Sequence, residues 1–290
     1  MRVKRYVPWL YVAPASLFVG VYLVWPTFQT IVLSVFGPHG ALFVGLDNFV
    51  QLFTQGETWI AARNNIVWML ALPAFAVTFG AAFALLFERV RYETLAKSSV
   101  FLPMVISFVG AGVIWKFVYA YMPEIYPQIG ILNAIRAALG MDPLAWMMQR
   151  PVLNNLLLVV VAAWGWTGFC LIVISAAYKS MDREMIDAAR LDGANEWQVV
   201  RYVVLPQIKS ALVGVTTLMM VISLKTFDVV YVMTGGNYGT DVLAHRMYRE
   251  MFRFHDSGVA SALAVLLLLA ALPLVGMMLS RFGREGRTLD

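Results

Sequence analysis

Six long apolar runs set the pattern of this chain: Trp9–Phe36, Ile60–Phe87, Val100–Tyr121, Val152–Ala177, Ala211–Met233 and Val259–Leu279. A run of about 20 apolar residues wound as a helix crosses the hydrocarbon layer of a bilayer. In lipid only helices and closed barrels satisfy every backbone polar group, and runs this long are helical. The pattern therefore predicts an all-α integral membrane protein: six transmembrane helices forming one domain over residues 1–290. The first run follows Arg2, Lys4 and Arg5, as the apolar core of a signal peptide would. It is too long for that core and lacks a clean small-residue cleavage site, so an uncleaved first span is expected.

The polar gaps differ in character. The gap at 180–206 reads as folded rather than loose. Ser180 is placed to cap a helix, with Asp182 and Glu184 in its first turn, where the helix dipole favours acids. Met181, Met185 and Ala188 recur at helical spacing and give that helix an apolar face. Gly193 is placed to end it. Asn195 with Gln198 three residues on is close to a capping box for a second helix, striped by Trp197, Val200 and Val204. Pro206 marks a break before the next span. Two short helices joined at Gly193 form a rigid knob suited to a partner that pushes on the spans; an ordinary loop with two amphipathic turns would read the same way. The gap 122–151 is rich in Pro and Gly, with a short helix expected at Asn133–Leu139. The gap 234–257 opens on Gly235-Gly236 and closes on an expected surface helix, Leu243–Phe254.

Composition adds weight to the membrane class. Of 290 residues, 60% are hydrophobic and 13% charged, about half the charged fraction of an average soluble domain. One cysteine, Cys170, excludes an internal disulfide framework, and three scattered histidines make no metal site. The net charge of +5 does not point to nucleic acid, because it follows the membrane sides. Most of the 22 basic residues fall in the N-terminus, the 88–99 and 178–210 gaps and the C-terminus. By the positive-inside rule these segments, both termini included, are expected in the cytoplasm. No G-x-x-x-x-G-K-[ST], H-E-x-x-H or G-x-S-x-G occurs, so nothing in the sequence equips the chain for catalysis or for binding ATP by the usual loop.

The 180–206 segment carries a resemblance. Asp187-Ala188-Ala189, then Gly193-Ala194, then Val203-Val204-Leu205-Pro206 is similar to the "EAA" loop of permease subunits in binding-protein-dependent ABC importers, with Asp187 for the usual Glu and Val203 for Ile. FVGLDNF (43–49), KSSVFLP (97–103), FDVVYVMTGG (227–236) and YREMFRF (248–254) resemble the six-span sugar-permease branch at the expected places. The likeness spans nearly the whole chain. It implies a multi-pass subunit of the cytoplasmic (inner) membrane that works by alternating access. The implied partners are a second, related permease in a heterodimer, two ATPase subunits and an extracytoplasmic solute-binding protein, which the outward gaps 122–151 and 234–257 could contact. ATP and Mg would be bound by the ATPase, and no cofactor by this chain. It further implies an ATPase-coupling role for Asp187, Ala188, Ala189, Asp192, Gly193, Ala194, Leu205 and Pro206.

Polar residues inside spans are the best pointers to a solute path. Lys225 is the clearest, flanked by Ser223, Thr226 and Asp228. It either faces a wet cavity or pairs with Asp228 at i, i+3 for neutralisation alone. The aromatic and glycine stretch Trp164–Phe169 suits stacking on a sugar ring, or helix packing through its two glycines. The resemblance to the maltose-importer permease implies a substrate path through Met104, Phe108, Gly165, Trp166, Phe169, Ile222 and Lys225, with Ser107 supplying a hydroxyl. Val105–Tyr119 is similar to α-glucoside-type permeases, which implies an α-glucoside or another di- or oligosaccharide as substrate. Polyol or glycerol-phosphate uptake by the same kind of system is the alternative. An ion-coupled secondary transporter would need more intramembrane acids than Asp228.

Overall fold

The computed structural model describes residues 7–88, 90–123, 125–149 and 151–286. Helices account for nearly all regular structure. Helix α1 (Val7–Val19) runs through a π-helical turn, Gly20–Val24, into α2 (Trp25–Leu33). Pro26 has no N–H to give and its ring crowds the carbonyl four residues back. The widened turn just ahead of it accommodates both defects. Helix α3 (Asp47–Thr54) is short, and α4 (Gly56–Phe87) is the longest helix. Helix α5 (Glu93–Phe101) tightens into a 3-10 turn at Leu102–Val105 and is followed by α6 (Phe108–Val118). Then come α7 (Ile131–Ala138), α8 (Pro151–Lys179), α9 (Arg183–Leu191) and α10 (Glu196–Val199). Helices α11 (Leu205–Gln207), α12 (Lys209–Leu224), α13 (Asp228–Met233), α14 (Leu243–Tyr248) and α15 (Ser257–Gly286) complete the order.

Among the described residues, four helical stretches are long and apolar enough to cross a membrane: Tyr11–Leu33, Gly56–Phe87, Val152–Lys179 and Ser257–Met277. Two bent pairs bring the number to as many as six: Glu93–Val105 with Phe108–Val118, turned by 100°, and Glu196–Gln207 with Lys209–Leu224, turned by 71°. The uninterrupted run read at Val100–Tyr121 is therefore two helices. Pro103 sits in the 3-10 turn, Ile106 is extended at ψ 130°, and Ser107 caps α6 by accepting from the Gly110 N–H at 3.1 Å. The run read at Ala211–Met233 is also interrupted. Helix α12 stops at Leu224, and Lys225 caps its end before α13 resumes at Asp228.

The described residues pack as two compact units: those up to Trp59 with Arg246–Leu269, and those of Ile60–His245 with the described segment from Ala270. In the first, the Asn48 amide donates to the carbonyls of Ser34 at 2.8 Å and Phe36 at 2.7 Å, stapling the exit of α2. Gly258 lies against the same turn, where a Cβ would fall 2.1 Å from the Phe36 carbonyl oxygen. Buried Arg246 is held by Glu57 at 3.3 Å and by Gln55. None of the residues of Tyr11–Leu33 is buried within the chain.

In the second unit the core gathers Trp68, Leu72, Leu158, Val161, Ile174 and Met219. Four buried asparagines from α4 and α8 serve its irregular backbone. Asn64 donates to the carbonyls of Gly239 (2.8 Å) and Asp241 (2.7 Å), and Asn154 to that of Tyr238 (2.8 Å). Asn155 accepts from the Trp68 indole at 3.3 Å. Asn65 donates to the Leu224 carbonyl (3.2 Å), left without a helical partner where α12 stops, and accepts from the Leu243 N–H (2.8 Å). A buried polar group left unpaired costs about 1–3 kcal/mol. Asn65→Leu should therefore strand both groups and lower folding stability by about 2–5 kcal/mol, read as a fall in the melting temperature of the purified chain in detergent.

Candidate functional site

Two places gather the residues singled out from the sequence. The first is the 180–206 segment. Asp182 caps α9, accepting from the Glu184 N–H at 3.0 Å, whereas the Ser180 hydroxyl turns back to the Ala177 carbonyl at 2.8 Å. The cap expected at Ser180 thus lies two residues later, because the long helix α8 runs on to Lys179 and uses Ser180 at its own end. Gly193 is left-handed at φ +85°. The Gly193 N–H reaches the Arg190 carbonyl (3.1 Å) and the Ala194 N–H reaches that of Ala189 (3.0 Å), which closes α9 in a Schellman turn. Asn195 and Gln198 form the full capping box on α10, at 2.9 and 2.8 Å.

The faces of this pair differ from the stripes read in the sequence. Ile186, Val199, Val204 and Ile208 are buried, whereas Met185, Leu191, Trp197 and Tyr202 are exposed. Periodicity finds an amphipathic helix but does not say which apolar stripe the core takes. Asp187, Ala188, Asp192, Gly193 and Pro206 are exposed, and Ala189, Ala194 and Leu205 half-buried. Arg190 ties the pair, 3.1 Å from Glu196 and 3.4 Å from Asp187, and the carboxylate of Glu196 raises its affinity for its proton. Helices α9 and α10 are thus locked at both sides of Gly193. The bend at Ile208 falls two residues beyond Pro206.

The second place is a cavity of about 180 Å³ at the two interrupted spans. Phe108, Trp166, Ile222 and Lys225 line it, four of the eight residues expected along a solute path. The other four are placed differently. Ser107 is spent on its cap and Met104 sits in the 3-10 turn before the bend. Phe169 supports the Trp166 ring edge-on at 6.0 Å. Gly165 is covered by Phe108, whose ring would meet a Cβ at 2.9 Å. Its neighbour Gly168 serves helix packing: its Cβ position lies 2.6 Å from Phe101 Cα and 2.7 Å from the Val100 carbonyl oxygen.

Sequence reasoning missed Leu72, Ala162, Thr226, Phe227, Asp228 and Val229, which complete the lining. The signal was present in the polar run around Lys225, read then as the middle of a continuous helix. Lys225 and Asp228 are both exposed to this cavity, and no ion pair joins them within 4.0 Å among the described residues. Breaking the helix between them removes the i, i+3 geometry that a pairing would need. The cavity so presents a cation, an anion and a hydroxyl beside three aromatic rings, with Phe108 stacked on Trp166 at 5.5 Å. Such a surface can donate to and accept from hydroxyl groups while covering an apolar ring face. A larger cavity, about 450 Å³ among Phe75, Phe79, Phe83, Trp115 and Trp164, carries no charged side chain in its lining.

Residues 61–282 match the family described as "Binding-protein-dependent transport system inner membrane component". The chain belongs to that family. It is therefore a multi-pass permease of the inner membrane. It is 47% identical to the osmoprotective compounds uptake permease protein GgtC of Synechocystis sp., over 94% of this chain and 98% of that one. It is 42% identical to the alpha-glucoside transport system permease protein AglF of Rhizobium meliloti, over 92% of this chain and 80% of that one. The fold is shared with a chain of the bacterial alginate ABC transporter solved with an alginate pentasaccharide-bound periplasmic protein, at TM-score 0.79 and 22% identity, covering 95% and 93% of the two chains.

A side chain in the left-handed region costs about 1–2 kcal/mol. Gly193→Val should destabilise the α9–α10 turn by that amount, which amide hydrogen exchange over residues 189–195 would report as faster exchange there.

Proposed function

We propose that this permease subunit imports a small neutral glycoside, of the α-glucoside or osmoprotective-compound class, delivered by an extracytoplasmic binding protein and driven by partner ATPases. The carrying observation is the identity of 47% and 42% with permeases named for those two solute classes, over almost the whole chain. The cavity agrees with it. Lys225 and Asp228 cancel in charge, so a neutral polyol is favoured over an acidic sugar. Trp166 and Phe227 line the cavity with aromatic rings. About 180 Å³ is small for a ligand site, which favours a solute that seats one ring at a time.

In this reading the chain binds no nucleotide. It pairs with a second permease, with both termini cytoplasmic. The 180–206 segment docks on an ATPase through Asp187–Ala194, its exposed Leu191 and Trp197 filling the partner's groove. Closure of the ATPases draws the two segments together and opens the cavity outward. Leu205 and Pro206 carry that motion into α12.

The assay is uptake by the full transporter in vesicles, with its binding protein, against neutral glucosides, free polyols and uronic-acid oligosaccharides. Neutral glucosides should be carried and uronic-acid oligosaccharides refused; transport of the acidic sugars alone would overturn the assignment. Within that assay, Lys225→Met should lower uptake by about 10- to 100-fold, the worth of a hydrogen bond from a charged donor. It should leave the melting temperature nearly unchanged, because Lys225 is exposed and makes no ion pair with Asp228. A collapse of folding with uptake would return Lys225 to a structural role.

A further inference from the structure

Helix α7 is built inside out. Its polar residues are turned inward and its apolar ones outward. Asn133 is fully buried. Its amide nitrogen donates to the carbonyls of Ala120 (2.9 Å) and Leu144 (3.0 Å), and its oxygen accepts from the Leu144 N–H (2.9 Å) and the Trp146 indole (3.2 Å). Arg136 is half-buried, with Nε donating to the Asp142 carbonyl at 2.9 Å and the guanidinium over the Trp146 ring. Ile131, Ile135 and Leu139 form one helical stripe, and each is more than half exposed. The stretch ahead of the helix follows the same rule. Gln128 is spent on the backbone of Met122, at 2.6 and 3.1 Å, while Ile125, Tyr126 and Ile129 are exposed. Helix α8 opens alike, with Val152 and Leu153 outward and Asn154 and Asn155 buried. Among the described residues of 121–139, no exposed side chain carries a charge.

A helix facing water shows the reverse pattern. Helix α9 does so in this chain: Arg183, Glu184, Asp187 and Arg190 are exposed and Ile186 is buried. Helix α8, long enough to cross a membrane, leads from the α7 segment to the α9 segment, so the two lie at opposite membrane faces. The end of α6 sits beside the start of α8, where the Tyr119 hydroxyl donates to the Leu157 carbonyl at 3.2 Å. Helix α7 is pinned at that level. Asn133 holds the Ala120 carbonyl, and Gly130 lies so close that a Cβ there would fall 2.1 Å from the same oxygen.

We infer that the described part of 121–139 is a lipid-docking surface. Ile131, Ile135 and Leu139, with Ile125 and Ile129, seat in the headgroup–acyl boundary of the leaflet away from the 180–206 segment. An exposed apolar patch of this kind marks a surface that something covers. A binding protein that arrives with solute and leaves would return this face to water between visits, whereas phospholipid covers it at all times. The patch also continues a surface that lipid already meets: Phe117 near the end of α6 and Val152 and Leu153 at the start of α8 are exposed. Tyr121 and Tyr126, both exposed, are the amphipathic rings that settle at headgroup level. The irregular backbone suits that depth, because Gln128 and Asn133 answer its polar groups from within the chain. The docked segment thereby fixes the depth at which α6 ends and α8 begins, whatever solute is carried.

Spin-label accessibility tests this. Cys170 is buried, so in an Ile135→Cys variant the nitroxide is placed at 135. The full chain is reconstituted in vesicles of phosphatidylethanolamine and phosphatidylglycerol, and collisions with oxygen, which concentrates in lipid, are compared with those of a water-soluble nickel chelate. Oxygen should dominate, at a depth of about 5–10 Å below the phosphates. Arg183→Cys, on exposed α9, should show the opposite preference. Dominant nickel collisions at 135 would place the face in water and overturn the proposal. The comparison is then repeated in the assembled transporter, with and without its binding protein, where oxygen access at 135 should persist. Loss of both oxygen and nickel access on assembly would mean that a second permease covers the face, and loss only with the binding protein that this protein does; either outcome overturns lipid as the occupant. Should Ile135→Cys fail to insert, Leu139→Cys is read in the same way.

Discussion

The governing constraint is that a backbone polar group inside a bilayer must find its partner within the protein. An unbroken helix meets it automatically. This chain breaks two of its six apolar runs and so strands N–H and C=O groups at membrane depth. At each break a named side chain answers one of them. Ser107 takes the Gly110 N–H at the first break, and Asn65 takes the Leu224 carbonyl at the second. The other three asparagines of α4 and α8 extend the same service to the loop at 238–241 and the indole of Trp68. Irregular backbone at that depth is tolerated where it is buried or lines a cavity, and both breaks contribute to one cavity lined by Phe108, Lys225 and Asp228.

Helix contacts follow from the same solvent. Lipid gives no hydrophobic reason for one apolar helix to prefer another, so close packing decides. The glycines at 80, 168 and 258 mark where backbones meet: their absent side chains would fall 2.6, 2.6 and 2.1 Å from Cys170 Cβ, Phe101 Cα and the Phe36 carbonyl oxygen. Apart from Lys225 and Asp228 in the cavity, the charge networks named here gather where spans end. Glu88, Glu93, Lys97 and Lys179 form one closed network. Arg246 with Glu57 and Glu250 forms another. In both, a side chain nearly removed from solvent is surrounded by opposite charge, the condition under which burial of an ion is affordable at all.

The 180–206 segment obeys the opposite rule. It is built from local signals that hold in water: a capping aspartate, a Schellman glycine and a capping box, each satisfying orphan groups at a helix end. Its turn is set by these local bonds, and Ile186, Val199, Val204 and Ile208 join it to the core of the second unit. Its large exposed side chains, Leu191, Trp197 and Tyr202, are free to face outward.

The sequence alone was enough to establish the membrane class, the rough position of every apolar run, the Gly193 turn and the Asn195 cap, because these depend on hydropathy and on neighbours within four residues. It also singled out Trp166 and Lys225, and the family resemblance added Phe108 and Ile222. It could not show that the third and fifth runs are broken. Their residues are apolar enough to continue as helix, and Asn65, which answers the second break, lies 159 residues away. Nor could it place Phe227 and Asp228 in the same wall as Lys225, or separate that lysine from its apparent ion-pair partner, since an unbroken helix puts them on one face. The role of the two span-four glycines was likewise undecided: Gly168 receives α5 and Gly165 the ring of Phe108, contacts fixed only when the helices cross. Tertiary structure decided these points because each depends on what fills the space opposite a residue, which no local pattern records.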